Sequence, residues 1–229
     1  MSDGGAPGPL ALVGGGEWTA GATFDAALLE RAGGDVVVLP TAAAYENPRR
    51  AVEAAERWFA SLGGRVRPCM ALTRADAQDE ALVDVVRGAS FVYLSGGSPL
   101  HLRSVLKGSP LLHALLEAWH GGAVVAGSSA GAMVLTDPMV DPRGGALTVG
   151  LGLVRDLAVV PHYSGAPDAQ LRRTLGLAHA SCAVVALGER TALVREGDGV
   201  WRVEGAGPAA VFVDGAESDL TALAGRPVG

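Results

Sequence analysis

One pentapeptide of this chain, Gly127-Ser128-Ser129-Ala130-Gly131, has the residue types and spacing of a nucleophile held on a tight turn. It reads G-x-S-x-G and directly follows the apolar run Ala123–Ala126. A strand, a strained turn and a helix in that order lift a serine hydroxyl to where a substrate carbonyl can reach it. Ser129 falls at the apex, where the positive end of the next helix favours developing negative charge. The Ala130 amide would face a substrate carbonyl oxygen. Ser128 is the rival serine, in the motif's variable position. A plain small-residue turn is the competing reading, and the strand–turn–helix context favours the elbow.

A serine at its free pKa is a poor nucleophile and needs a base. Of the five histidines, His113 and His120 share the polar face of a helix with Glu117, and His179 stands near a helix end. His101 follows a Gly-Gly turn and could edge a site. His162 is the strongest candidate, because it follows the apolar run Leu157–Val160 in Pro161-His162-Tyr163-Ser164. An imidazole at a strand exit lies where ligands bind in an open parallel sheet. A carboxylate is then needed to fix its tautomer. Glu189, after the run Ala183–Leu187, is one candidate; Asp137, Asp156 and Asp168 compete with it, and taken alone Glu189 is better explained as a surface turn carboxylate paired with Arg190. The turn Ser95-Gly96-Gly97-Ser98 can supply a second oxyanion donor, since glycine amides approach an oxygen unobstructed. Gly14-Gly15-Gly16-Glu17 does not complete G-x-G-x-x-G, because Thr19 holds the last position. There is no phosphate-cradling G-K-[ST], no H-E-x-x-H and no paired-cysteine metal spacing, so no metal or organic cofactor is expected.

Positioning these groups requires strand exits on one rim. Runs at Leu10–Val13, Val36–Leu39, Phe91–Leu94 and Ala123–Ala126 show little polar alternation, as strands buried on both faces do. Later runs lie at Leu157–Val160, Ala183–Leu187, Thr191–Val194, Val200–Val203 and Ala210–Val213. Between them, one helical face carries Ala51, Ala55, Trp58, Phe59 and Leu62, and another Ala81, Leu82, Val85 and Val86. Ser98-Pro99 and Ser109-Pro110 are helix starts, and Asp168 caps a third helix. The expected fold is α/β: a doubly wound, mostly parallel sheet flanked by helices, with a short antiparallel edge near the C-terminus. With no repeat and no linker, residues 1–229 read as a single domain. The first eight residues and Gly225–Gly229 read as loose ends.

The chain of 229 residues has 18 Lys+Arg against 24 Asp+Glu, a net charge of −6. That balance argues against a nucleic-acid partner, which needs a basic surface. No apolar stretch reaches the roughly 20 residues of a membrane helix. Two cysteines and a start without a basic head and apolar run give a cytoplasmic expectation. The oligomeric expectation is monomer or homodimer.

Taken together, Leu12-Val13-Gly14-Gly15-Gly16-Glu17, Ser95-Gly96-Gly97, Gly127-Ser128-Ser129-Ala130-Gly131-Ala132, Gly150-Leu151-Gly152-Leu153, Pro161-His162-Tyr163 and Glu189-Arg190-Thr191-Ala192-Leu193 resemble the dipeptidase E and cyanophycinase family of serine peptidases. The resemblance implies a class I glutamine amidotransferase-like fold with serine in place of cysteine. It implies Ser129 as nucleophile, His162 as general base and Glu189 as third member, with the amides of Gly97 and Ala130 as the oxyanion hole. The implied activity is hydrolysis of short peptides through an acyl-enzyme, of the aspartyl or β-aspartyl dipeptidase type. Cyanophycinase-like cleavage of β-aspartyl-arginine units is one alternative, and a non-catalytic binding or regulatory protein that keeps the fold is another. Ser98, where dipeptidase relatives often have asparagine, sets aspartate specificity apart from the rest of the match. Arg172 and Arg173 are candidates for binding a substrate carboxylate.

Overall fold

The computed structural model describes residues 6–229. Its elements in chain order are β1 (Leu10–Val13), α1 (Phe24–Arg31), β2 (Asp35–Leu39), α2 (Pro48–Ser61), β3 (Arg65–Pro68), α3 (Glu80–Arg87), β4 (Phe91–Leu94), α4 (Pro99–Leu106), α5 (Pro110–His120), β5 (Val124–Ser128) and α6 (Ala130–Leu135). Four two-residue strands follow, β6 (Thr136–Asp137), β7 (Met139–Val140), β8 (Leu147–Thr148) and β9 (Val154–Arg155). The chain closes with β10 (Leu157–Val160), α7 (Ala169–Leu177), β11 (Ala183–Leu187), β12 (Thr191–Arg195), β13 (Trp201–Gly205), β14 (Ala209–Val213) and β15 (Ala216–Ser218).

The central sheet has seven strands in the order β13-β12-β1-β5-β4-β2-β3. From β1 to β3 all neighbours are parallel, whereas β12 runs antiparallel to β1 and to β13. The expected parallel sheet with an antiparallel edge is thus present. Leu10 and Leu12 face one core while Ala11 and Val13 face the other, so β1 is apolar throughout because both of its faces are covered. Phe24 of α1 and Phe59 of α2 pack on one face with Phe91 and Tyr93. α4, α5 and α6 fill the other face.

Helix starts follow from local chemistry. The side chains of Asn47, Asp79, Ser98, Ser109 and Asp168 each accept a backbone N–H of the first turn, and proline opens α2, α4 and α5. The α3 face is rotated from expectation: Val83 and Val86 are buried, not Ala81.

Three features depart from the sequence reading. β3 was not expected, because Arg65 and Arg67 make it polar; it is an edge strand. The strands β10, β11, β14 and β15 form a separate four-stranded sheet rather than extending the central one. The chain switches sheets in the turn from Leu187 to Thr191, with Arg190 at φ +57° and the Gly14 amide donating to Thr191 O at 2.9 Å. The C-terminus is also tied down: Val228 bridges Val154, and Gly229 O accepts from His120 Nε2 at 2.7 Å. At the other end Gly8 O accepts from Trp119 Nε1 at 2.8 Å, so only residues 1–5 of the expected N-terminal loose end lie outside the described residues.

Candidate active site

Ser129 stands between β5 and α6 with φ +48° and ψ −106°. An L-residue held there costs on the order of 1–3 kcal/mol, so neighbours must fix it. Its amide donates to Val13 O at 2.9 Å and its carbonyl accepts from Met133 N at 3.0 Å. The turn therefore belongs at once to the β1 exit and to α6. Ser128 is fully buried, and its hydroxyl donates to Glu17 Oε2 at 2.7 Å, so it does not reach the cleft as Ser129 does.

His162 leaves the end of β10, also in the left-handed region at φ +57°. Its amide donates to Gly14 O at 2.8 Å, and the next amide, of Tyr163, to Leu187 O at 2.9 Å. The ring then lies across the β1 exit with Nε2 2.9 Å from Ser129 Oγ. Glu189 Oε1 is 3.4 Å from His162 Nδ1. The two side chains remain 53% and 58% exposed, so water screens their attraction. Gly15 makes the arrangement possible. Its φ is +123°, its carbonyl accepts from Arg190 N at 2.7 Å, and a methyl group in place of its hydrogen would lie 2.5 Å from His162 Cε1.

The turn after β4 completes the rim. Ser95 N donates to Leu39 O at 3.1 Å, Gly96 N to Glu17 Oε1 at 2.9 Å and Ser98 N to Ala42 O at 2.8 Å. The Gly97 amide has no protein acceptor among the described residues. Gly97 sits at φ +133°, and a Cβ there would come 2.3 Å from Ala42 O, so only glycine fits. Gly97, Ser129 and His162 all line one open cleft of about 610 Å³.

The other candidates lie elsewhere. His101 Nε2 contacts Leu72 O at 2.9 Å and its ring meets Tyr45 edge-on, while His113, His120 and His179 are exposed. Asp137 accepts from Gly150 N, Asp168 caps α7 and Asp156 is exposed, so none of these competes with Glu189 for His162. Arg172 and Arg173 are exposed on α7 and do not line the cleft. Cys69 and Cys182 are free and buried, and burial pushes both thiols up to about 11. No cluster of three His, Cys, Asp or Glu among the described residues could hold a metal ion.

Several cleft residues were given no site role in the sequence reading. Glu17 follows the glycine run at the β1 exit, a position read against the dinucleotide pattern and within the motif set but given no role of its own. Arg50, in the first turn of α2, is the only Lys or Arg side chain among the described residues that lines the cleft. Trp18 also lines it and packs on Tyr93 with ring centroids 5.2 Å apart. In the core behind, Asp25 accepts from Trp58 Nε1 at 2.8 Å, while Asp25 Oδ1, Tyr93 OH and Trp18 Nε1 are buried without partners. Burial pushes the Asp25 carboxyl up from 3.8 to about 7, against the Trp58 hydrogen bond and helped by the nearby charge of Glu17.

A serine hydroxyl on a strand–helix elbow, under an imidazole and beside a free glycine amide, on a mostly parallel α/β sheet, defines the class of serine-type peptidases. The chain belongs to peptidase family S51, whose profile matches residues 10–203. It is 32% identical over 146 residues to the cyanophycinase of Synechococcus elongatus, a match covering 58% of this chain and 45% of that protein. The chain thus aligns with less than half the length of that relative. The crystal structure of a peptidase from an acI-B1 actinobacterium superposes with a TM-score of 0.83 at 30% identity, covering 94% of each chain. A peptidase E-like protein of Listeria monocytogenes shares the fold, with a TM-score of 0.63 at 19% identity over 91% of this chain and 99% of that one. No helix among the described residues is long and apolar enough to cross a membrane.

Proposed function

We propose that this protein hydrolyses short peptides by acyl transfer through Ser129, His162 and Glu189. The observation that carries the reading is the 2.9 Å approach of His162 Nε2 to the hydroxyl of a serine held at positive φ. His162 Nε2 takes the Ser129 proton as Oγ bonds to the peptide carbonyl carbon. The carbonyl oxygen becomes an oxyanion facing the amides of Gly97 and Ala130, each such donor contributing roughly 3–4 kcal/mol in comparable sites. His162 returns the proton to the leaving amine as the C–N bond breaks. Water, deprotonated by the same imidazole, then releases the acyl group and restores the serine. Glu189 holds the Nδ1 proton and offsets the imidazolium charge. The reaction as written uses no cofactor.

An open cleft of about 610 Å³ suits a short peptide better than a folded protein. Arg50, the cation lining it, supports an acidic residue in the substrate, as in aspartyl or β-aspartyl peptides. The similarity to a cyanophycinase keeps β-aspartyl-arginine as the second substrate reading. The reading places the enzyme in the cytoplasm, where the unpaired thiols of Cys69 and Cys182 stay reduced.

A fluorophosphonate probe tests the chemistry. Labelling at Ser129, lost in Ser129→Ala together with at least a 1,000-fold fall in peptide hydrolysis (order of magnitude, ~10³), is the expected result. An unlabelled native protein would favour a binding protein that keeps the fold. Mass-spectrometric screening of dipeptides and tripeptides, β-aspartyl-arginine included, then separates the substrate readings.

A further inference from the structure

Among the described residues, Glu17 is the one side chain hydrogen-bonded to both halves of the oxyanion-binding rim. It leaves the end of β1 just after Gly16. Its Oε1 accepts the Gly96 amide at 2.9 Å, and its Oε2 accepts the Ser128 hydroxyl at 2.7 Å. The first bond reaches 79 residues along the chain and the second 111, so one carboxylate joins the exits of β1, β4 and β5.

Those contacts sit one residue from the Gly97 amide and two residues from the Ala130 amide. Gly96 precedes Gly97, whose amide has no protein acceptor among the described residues, and Ser128 precedes Ser129 and Ala130. The Gly96 carbonyl is held separately, accepting from Ser95 Oγ at 3.1 Å. With the Gly96 amide fixed by Glu17 and its carbonyl by Ser95, the peptide plane carrying the Gly97 N–H has little freedom to turn. A glycine pair without such anchors would sample both signs of φ. The other end of the carboxylate pins the Ser128 side chain against the elbow's entry.

A carboxylate this close to a developing oxyanion opposes it, because like charges repel. Its presence is explained if its two oxygens are turned to the Gly96 amide and the Ser128 hydroxyl, and act by aiming neighbouring donors rather than by touching substrate. We infer that Glu17 is a positioning residue that sets the Gly97 and Ala130 amides in register for the transition state. This rests on the acyl-transfer reading above.

The distinguishing feature is that geometry and charge can be separated. In Glu17→Gln the amide oxygen can still accept the Gly96 N–H, and the amide nitrogen can donate to Ser128 Oγ, which accepts as readily as it donates. Glu17→Ala loses both bonds. The expected result for Glu17→Ala is a fall in kcat of about 100-fold with KM within about threefold, and a parallel fall in affinity for a peptide boronic acid that mimics the tetrahedral intermediate. Glu17→Gln should recover most of that loss. Ser128→Ala, which removes one bond and little volume, should lower kcat about tenfold. A purely structural role would lower melting temperature in these variants without moving boronate affinity relative to substrate affinity. Should Glu17→Ala fail to fold, the other two variants still decide: unchanged kcat and boronate affinity in Ser128→Ala, or a Glu17→Gln that loses about 100-fold in boronate affinity, overturns the inference. A native protein that neither reacts with fluorophosphonate nor cleaves any peptide defeats the acyl-transfer reading and this inference with it; a reactive native protein with indifferent Glu17 variants defeats the inference alone.

Discussion

Two carboxylates near the Ser129–His162 pair, Glu17 and Glu189, behave in opposite ways. Glu17 is partly buried and has both oxygens hydrogen-bonded to protein donors at 2.9 and 2.7 Å. Glu189 is 58% exposed in its side chain, and its nearest ionic contact is an imidazole nitrogen at 3.4 Å. One carboxylate is built into the framework of the elbow side of the cleft, and the other stands in water on the histidine side. Ser129 and the Gly96-Gly97 turn therefore sit on a hydrogen-bonded, preformed scaffold. His162 leaves the end of β10 and Glu189 stands on the turn between the two sheets, and backbone bonds to Gly14 and Gly15 hold both segments. Precision on the first side comes from packing and partly buried hydrogen bonds, and on the second from main-chain geometry.

The largest effect expected from this difference lies in the dry layer under the elbow side. Asp25 is buried, with its carboxyl raised from 3.8 to about 7. In the unfolded chain it ionises near pH 4, so between about pH 4 and 7 the folded form holds a proton the unfolded form has lost. Stability then falls as pH rises through that window and levels off above it. The shift of about three units corresponds to a contribution on the order of 4 kcal/mol, an upper figure for a group this buried. Asp25→Asn keeps an acceptor for Trp58 and cannot ionise. The difference in unfolding free energy between the variant and the native protein should grow in the variant's favour from pH 4.5 to pH 8, measured by urea titration at each pH (values of about these magnitudes). A difference that stays flat across that range would show that this layer is wetter than its burial implies.

The second effect tests main-chain control on the histidine side. Gly15→Ala puts a methyl group 2.5 Å from His162 Cε1 and forces a non-glycine residue into φ +123°. The ring must move by about an ångström, and a displacement of that size costs about 100-fold in rate. Peptide hydrolysis and fluorophosphonate labelling should fall together by about that factor, while near-ultraviolet circular dichroism stays native. Full activity would mean that the imidazole is free to find its place, and that the β1 exit does not orient it.

Much of this division was legible in the residues, for different reasons at different places. The elbow was readable because strand, turn and helix are contiguous, so Gly127 to Gly131 carry their own context. His162 could be singled out by its position after an apolar run, since β10 ends where the sequence says it should. Glu189 could not be assigned from its surroundings, because its partner is 27 residues away (189 minus 162) on a neighbouring strand exit, and only the motif set as a whole pointed to it. The second sheet was invisible for a related reason. Apolar runs at Leu157–Val160 and Ala183–Leu187 announce strands but not the sheet they join, and that choice is made by the Gly188–Arg190 turn. Glu17 was overlooked because its work is done through bonds spanning 79 and 111 residues, which no local pattern encodes. A carboxylate immediately after a glycine run at a strand exit was the available signal.

The smallest effect is also the most informative about Glu189. In serine peptidases whose acid is buried, replacing it with the amide costs about 10⁴ in kcat, because the imidazole is left in the wrong tautomer with its charge unpaired. Here both side chains are about half exposed and the contact is long, so water can take over much of what the carboxylate does for the imidazolium. A partly solvated charge-assisted bond contributes about 1–1.5 kcal/mol, so Glu189→Gln should lower kcat only about tenfold. Salt sharpens the test. Screening at 1 M sodium chloride weakens an exposed pair far more than a buried one, so the native enzyme should lose part of the same factor in high salt while the variant loses little. The measurement is kcat for both proteins at low and high salt. A loss near 10⁴ that is indifferent to salt would mean that substrate binding closes the cleft and dries the pair, which would move Glu189 from the wet side of the comparison to the side where Glu17 stands.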